Sequence, residues 1–519
     1  MTVMLSLLVC QVFCLRHMLH MLQLNSYQQA THFRWIKKNI GQLLPLLVPA
    51  ALCIPAALLD GWSNVFAPLL AAVLLLLALH FRPRKAKKPL VCTKRMQRLF
   101  VTSGVLLAAE TAVCVLAAKS ASGAARFYPI VGVLTLLSPL LASVAAWINA
   151  PIERAIRSYY IRDAKRLLQS CPELITVGVT GSYGKTSVKH ILSVLLQAKY
   201  NTLMTPESYN TPMGVVLTVR KQLRPVHQVF VCEMGARHVG DIAELCRIAH
   251  PKYGVITSVG PQHLETFGTM ENIKKTKFEL ADALPPDGAA FLNFEDENVR
   301  AAAASYRGRQ IRYGLSDACD YYATDIRASS RGTSFTAHTP NGESAEFTVR
   351  LIGRHSVINM IGAIAVCCEL GIPLESLRVR AHLLESVPHR LQLLVKNGVT
   401  LIDDAYNSNP SGAKAALDAL ALFDGFRILV TPGMVELGSR QYELNRHFGE
   451  EAAAVCDYVI AVGEKQAVPI VDGLRAAGYD ANKLYVAPDI HAAIERAYAL
   501  GTDGREKIIL LENDLPDNY

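Results

Sequence analysis

Leu174-Ile-Thr-Val-Gly-Val-Thr-Gly-Ser-Tyr-Gly-Lys-Thr-Ser-Val-Lys-His190 passes from a β-branched apolar run through glycines into a helix-like pattern. That order predicts a strand, a phosphate loop and a helix. Gly178, Gly181 and Gly184, with Ser182 between the last two, let the backbone turn its amides toward an anion. Lys185 supplies a point charge for β- and γ-phosphates, and Thr186, followed by Ser187, offers a hydroxyl to Mg²⁺. Such a loop takes ATP or GTP. The spacing is G-x-x-G-x-x-G-K-T and departs from the strict Walker A pattern, because Val179 stands five residues before Gly184. The plainer alternative is a glycine-rich turn with a chance Lys-Thr, and the flanking strand and helix patterns weigh against it.

At 519 residues the chain has the length of about three domains, and its 51% apolar content is concentrated in residues 1–150. Four runs there, Leu43–Leu59, Val65–Phe81, Leu99–Ala118 and Tyr128–Ile148, approach the ~17–25 residues that a hydrocarbon layer requires. Met1–Leu15 is apolar and is followed by Arg16, His17 and His20, so it is either a fifth span or an interfacial segment. It lacks a charged leading region and a small-residue cleavage site, and so does not read as a cleaved signal. Arg82–Arg98 carries eight Lys/Arg, against none in Asp60–Asn64 and two in Lys119–Phe127. The basic stretch therefore belongs on the cytoplasmic side, and two further crossings return the chain to the cytoplasm at Pro151. The expected location is the cell (inner) membrane, multi-pass, with the phosphate loop facing cytoplasmic ATP. The net charge of +9 follows from basic residues that flank spans. They are not interleaved with stacking aromatics, which argues against nucleic acid and for lipid headgroups. Glu110 falls inside a span, either as a functional carboxylate or as a protonated structural one.

Residues 151–173 begin with a helical pattern that puts Ile152, Ile156, Tyr160, Ala164 and Leu167 on one face and five basic residues elsewhere. The helix either lies on anionic headgroups or packs as a linker on the domain that follows. Twelve cysteines show no C-x-x-C pair, which suits reduced thiols better than disulfides or zinc.

From Leu174 onward, short β-rich runs (Val229–Cys232, Tyr253–Ser258, Ala289–Asn293) alternate with helical stretches (Asp241–Ile248, Met270–Leu284). This predicts an α/β fold with a mostly parallel sheet and ligands at the carboxyl ends of its strands. Glu233, His263 and Lys277 fall just past those ends or on the next helix. Singly, each has an ordinary reading as a helix cap, a hydrogen-bonded loop residue and a solvated charge.

Together, G-V-T-G-S-Y-G-K-T, E-M-G-A, Q-H-L-E-T-F-G and K-T-K-F-E-L-A resemble the Mur ligase family. D-D-A-Y-N-S-N-P (403–410) and G-M-V-E-L-G (433–438) are most similar to its D-alanyl-D-alanine-adding branch. The resemblance covers about residues 174–515. It implies a P-loop central domain at 174–385 and a Rossmann-type C-terminal α/β domain at 386–519, behind a transmembrane region at 1–150 and the linker helix. The implied activity is ATP-dependent, ADP-forming amide ligation in peptidoglycan precursor synthesis. A carboxylate is phosphorylated to an acyl phosphate, an amine attacks, and phosphate leaves; the implied substrates are a UDP-muramoyl tripeptide and D-alanyl-D-alanine.

Carried over by position, the resemblance implies catalytic roles for Lys185, Lys277, His263 and Asn210. Metal ligation falls to Thr186, Glu233, His263 and a carbamylated Lys277 holding a second Mg²⁺. Nucleotide contacts fall to Gly181, Ser182, Gly184, Lys185, Thr186, Ser187, Asn359, Arg390 and Asp404. Two cations and two metal ions would offset the charge that accumulates during phosphoryl transfer.

The chain departs from the family pattern at three places. His355-Ser356 stands where the family has His-Asn, and the end reads Leu510-Leu-Glu-Asn-Asp-Leu-Pro-Asp-Asn-Tyr519 where a Lys-Gly-Ser-Arg-like stretch is typical. Apolar spans take the place of the soluble UDP-binding domain. This last substitution suggests a lipid-linked or polymeric membrane acceptor as the alternative substrate. The four-Cys zinc insertion of related amidotransferase subunits has no counterpart here. A membrane-bound P-loop ATPase without ligase activity is the reading from another class, and Arg390 and Asp404 in a third domain weigh against it.

Overall fold

The β-branched run at Ile175–Thr180 forms strand β1, buried along almost its whole length, as a strand covered on both faces must be. The computed structural model describes the chain except residues 59–62, 84–88, 120–122, 397, 407 and 515–519. Parts of the Asp60–Asn64, Arg82–Arg98 and Lys119–Phe127 segments, Asn407 and the last residues of the unusual terminus therefore lie outside the described residues. The chain forms two units that divide between Ser158 and Tyr159.

In the second unit, β2 (Thr202–Met204), β3 (Val229–Glu233), β4 (Tyr253–Ile256), β5 (Ala289–Asn293), β6 (Gln310–Gly314), β7 (Tyr321–Ser329), β8 (Gly332–His338) and β9 (Ser344–Val349) join β1 in a nine-stranded sheet. The order is β2-β3-β1-β4-β5-β6-β7-β8-β9. Pairings from β2 to β7 are parallel and the β7-β8-β9 edge is antiparallel. Val177, Val179, Val231, Val255 and Phe291 pack one face against the helices Lys185–Leu196 and Arg354–Glu369. Phe230, Cys232, Ile256 and Leu292 pack the other against Asp241–Ala249 and Met270–Asp282. The mostly parallel sheet expected from the alternating text is present, and the antiparallel edge is an addition to it.

A second sheet has the order β10-β11-β15-β12-β13-β14, built from β10 (Gln392–Lys396), β11 (Val399–Asp404), β12 (Phe426–Thr431), β13 (Tyr458–Val462), β14 (Leu484–Ala487) and β15 (Lys507–Glu512). Only β10 runs antiparallel in it, and it is an edge strand.

The first unit is helical. Among the described residues four helices are long and apolar enough to cross a membrane: Thr2–Leu24, Ile40–Leu58, Lys94–Ala118 and Ala125–Gln169. The set differs from the four runs expected from sequence. The N-terminal segment continues through the basic His17/His20 region to Leu24 and qualifies, whereas Val65–His80 is shorter than a full span. Tyr128–Ile148 falls inside Ala125–Gln169, where a 3₁₀ turn at Ser138–Leu140, with Pro139 in it, joins Gly123–Leu137 to Leu141–Gln169. Leu76, Val101, Leu116 and Trp147 are exposed on this unit, an apolar exterior of the kind that lipid would cover. Glu110 accepts a hydrogen bond from Gln11 Nε2 at 2.7 Å, so its carboxyl has a partner inside the helical unit.

The helix pattern expected from residue 151 is the second half of Leu141–Gln169. Within the second unit its Ala164 and Leu168 are buried with Val215, Val219 and Leu223, and Asp163 pairs with Arg220 at 2.5 Å. Its last turns are thus packed on the second unit, while Ile152 and Leu167 of the expected apolar face are exposed. All twelve cysteines are free.

Candidate active site

After β1 the chain must turn sharply into the helix that follows, and two glycines make this possible. A Cβ on Gly181 would lie 2.0 Å from Thr257 Oγ1, and Gly184 heads the Lys185–Leu196 helix at φ +81°. The loop is pinned from β4: Ser182 N donates to Ser258 O (2.9 Å), Tyr183 N to Ser258 Oγ (2.8 Å) and Ser182 Oγ to Gly260 O (3.0 Å). Lys185 arches back over the loop and donates to Gly181 O (2.5 Å) and Ser182 O (3.2 Å). Burial pushes its ammonium down to about 8, with Glu233 opposing the shift and Arg390 adding to it.

Glu233 closes β3 beside Val179 of β1 and is 1% exposed. Its Oε1 accepts from Thr186 Oγ1 (3.2 Å) and Asn210 Nδ2 (3.1 Å), and its Oε2 lies 3.0 Å from Lys189 Nζ. Burial works to raise the Glu233 carboxyl, but Lys189, Lys185 and Asn210 outweigh it and hold it below the usual carboxylate range. Lys189 also donates to Glu207 O at 2.5 Å, tying the loop that carries Asn210 to the phosphate-loop helix.

Among the described residues no three His, Cys, Asp or Glu side chains gather as a metal cage. What the phosphate loop has beside it is a hydroxyl and a carboxylate. That hard-oxygen pair fits Mg²⁺, which completes its shell with phosphate oxygens and water.

Lys277, on Met270–Asp282, is 2% exposed and has no hydrogen bond or ion pair among the described residues. Burial and the charge of Lys185 push its ammonium well below the usual lysine range, against Asp241 and Glu279. His263 sits apart from Thr186 and Glu233 in hydrogen bonding. It adopts φ +52° ahead of the short helix Leu264–Phe267, and its Nδ1 meets Glu436 Oε2, from the side of the second sheet.

Ser187, His190, Ser356, Asn359, Glu385 and Arg390 line one cleft. Asn359 Oδ1 packs 2.9 Å from where a Cβ on Gly184 would sit. The Arg390 guanidinium lies 4.2 Å from the centre of the Tyr406 ring, whose hydroxyl meets Ser208 Oγ. Asp404, at the end of β11, accepts from Leu391 N (3.1 Å). Burial and the neighbouring Glu512 push its carboxyl up to about 7, against Arg390.

The departures from the family pattern have local roles. Ser356 Oγ donates to Ile352 O (2.8 Å). Glu512 is buried and accepts from Thr431 Oγ1 (2.5 Å), while Asn513 Nδ2 donates to Gly433 O (2.6 Å).

Lys185, Thr186, Glu233 and Asn210 thus form one cluster, and Ser187, Asn359 and Arg390 form the adjoining cleft. Two residues at the site were not singled out in the sequence, Lys189 and Glu436. Lys189 carried a signal, since it falls four residues after Lys185 on the same helical face. Glu436 lies inside the quoted G-M-V-E-L-G, with no sign of what it would touch.

The chain is similar in sequence and fold to known proteins. The Mur ligase middle domain matches residues 179–367, and the Mur ligase glutamate ligase domain matches residues 389–511. The UDP-N-acetylmuramoyl-tripeptide--D-alanyl-D-alanine ligase of Escherichia coli is 34% identical over 293 residues, covering 56% of this chain and 64% of that protein. The chain therefore spans less than two thirds of that relative's length. MurF from Acinetobacter baumannii is 27% identical with a TM-score of 0.63, covering 70% of this chain and 78% of that one. MurF ligase from Thermotoga maritima, solved in complex with ADP, is 28% identical with a TM-score of 0.61, covering 69% and 80%. With two successive Mur ligase domains matched across the sheets that build the cleft, the chain belongs to the Mur ligase family.

Proposed function

We propose that the protein is an ATP-dependent, ADP-forming carboxylate–amine ligase of MurF type, adding D-alanyl-D-alanine to a UDP-muramoyl tripeptide in peptidoglycan precursor synthesis. The observation that carries this reading is the continuity of the phosphate loop with the cleft lined by Asn359 and Arg390, which gives one nucleotide both a triphosphate cradle and a pocket for its base and ribose. Residues 174–385 supply the loop and 386–519 supply Arg390 and Asp404.

In this reading Lys185 and Arg390 neutralise the phosphates, and Asn210 and Lys189 hold Glu233 where it shares Mg²⁺ with Thr186. A second Mg²⁺ would be held by His263 and Lys277 once Lys277 is carbamylated. Bound Mg²⁺ would supply charge neutralisation for the acyl phosphate and its tetrahedral adduct. Gly181 and Ser182 shape the loop, with the Ser182 amide held by Ser258 O, and the amides at the start of the Lys185–Leu196 helix, Ser187 among them, would face the same phosphates. Asp404, which is not among the residues lining that cleft, would contact the ribose in this reading.

The helical first unit favours a second reading of the acceptor. Four helices able to span a bilayer fit a multi-pass protein of the cell membrane with cytoplasmic ligase domains, and an acceptor presented on a lipid.

Both readings are tested by amine-dependent phosphate release from detergent-purified protein with ATP, Mg²⁺ and D-alanyl-D-alanine, offering either UDP-muramoyl tripeptide or a lipid-linked acceptor. Turnover with the soluble acceptor supports the first reading, and turnover with the lipid-linked one alone supports the second. Phosphate release indifferent to both amine and acceptor would mean an ATPase and overturn both.

A further inference from the structure

The Glu436 side chain and backbone both reach from the second sheet's loop to the nine-stranded domain. Its Oε2 meets His263 Nδ1, its Oε1 lies 3.7 Å from Arg237 Nη2, and its carbonyl accepts from Glu265 N at 3.4 Å. The residue holds φ +61°, a conformation uncommon for a non-glycine side chain. The loop behind it is fixed: Met434 N donates to Asn445 Oδ1 (2.7 Å), Asn445 Nδ2 returns to Met434 O (2.9 Å), and Asn445 is 2% exposed. This is a braced strut that ends on an imidazole.

A carboxylate only accepts hydrogen bonds, so the contact requires the proton on His263 Nδ1 and leaves the Nε2 lone pair outward. Metal-bound histidines are commonly oriented in this way by an outer carboxylate. We propose that Glu436 is a positioning residue lent by the C-terminal domain, which fixes the tautomer and aim of His263 and so makes a divalent cation at His263 depend on docking of the two domains. The inference rests on the proposed metal role of His263.

The test is Mn²⁺ binding to the full chain in detergent with ADP present, read by electron paramagnetic resonance, with melting temperature as the check on folding. His263→Ala and Glu436→Ala each weaken Mn²⁺ binding, by about 10- to 100-fold for the outer carboxylate. The double variant is no worse than His263→Ala alone, and Glu436→Gln, whose amide oxygen still accepts from Nδ1, restores most of the affinity. If Glu436→Ala does not fold, Glu436→Asp pulls the oxygens back by one methylene in a residue that tolerates positive φ, and the same weakening is expected. Wild-type affinity in His263→Ala overturns the metal role itself. Weakened binding in His263→Ala with wild-type affinity in the folded Glu436 variants overturns the strut.

Discussion

The two faces of the nine-stranded sheet each bury a lysine. Lys189, among the side chains of the Arg354–Glu369 face, is 1% exposed and has Glu233 at 3.0 Å and the Glu207 carbonyl at 2.5 Å. Lys277, among those of the Met270–Asp282 face, is 2% exposed and has neither an ion pair nor a hydrogen bond among the described residues. An ammonium in a dry interior is tolerated when a carboxylate and an acceptor are at hand, and otherwise sheds its proton. One face therefore uses its lysine as a brace for Glu233, and the other holds a lysine that burial and Lys185 push well below the usual lysine range.

The largest expected effect breaks the second half of this contrast. Lys277→Ala removes the only nitrogen that a carbamate there could use. Ligase turnover, once assayed, falls by at least ~10²-fold, as when a preorganised charge-stabilising group is lost, and short carboxylates such as acetate restore part of it. Wild-type rates in Lys277→Ala would falsify the carbamate assignment.

Stability separates the two lysines in the opposite direction. Lys189→Met leaves Glu233 buried opposite an apolar side chain, and breaking a buried pair costs about 3–5 kcal/mol. Lys277→Met removes an unpaired buried amine and leaves stability unchanged or raised. Urea unfolding of the full chain measures both. Equal losses in the two variants would show that Lys277 has a partner as strong as Glu233.

This contrast also marks what a sequence can carry. The strand, loop and helix of residues 174–190 were legible because a β-branched run, glycines and a helical pattern follow one another there, and the strands around them because both faces of a parallel sheet demand apolar runs. Glu233, His263 and Lys277 stood out through family resemblance, but their environments did not. Nothing in K-T-K-F-E-L says that Lys277 is dry, and nothing in V-K-H says that Lys189 reaches Glu233 forty-four residues on. Long-range pairing of this kind is decided by how β3 lies beside β1. The helical unit was legible in composition and less so in boundaries, because Pro139 and the polar end of Thr2–Leu24 redistribute lengths that hydropathy alone treats as uniform.

A smaller effect sharpens the comparison through Lys185, which lies between the two cases, near Glu233 but hydrogen-bonded only to carbonyls. With its ammonium at about 8, free enzyme loses this charge as pH rises. kcat/KM for ATP should then fall above about pH 8, since that ratio reports ionisations of the free enzyme. Lys185→Arg, which stays charged throughout, removes that alkaline limb even if its absolute rate is lower. A limb that persists unchanged in Lys185→Arg belongs to another group.

The smallest effect extends the comparison to the second sheet. Asp404 is raised to about 7 by burial and by Glu512, in register beside it on β15, with Arg390 only partly offsetting them. An unfolded aspartate titrates near 4. Between about pH 4 and pH 7 the folded chain therefore holds a proton that the unfolded chain has released, and stability declines as pH rises through that window. The contribution is fully present below the unfolded value and gone above the folded one. Asp404→Asn deletes this titration, so the difference in urea midpoint between mutant and wild type should grow in the mutant's favour from pH 4.5 to pH 8. A pH-independent difference would mean that Arg390 compensates Asp404 as fully as Glu233 compensates Lys189, and the second sheet would then hold a paired charge like the Lys189 face of the first.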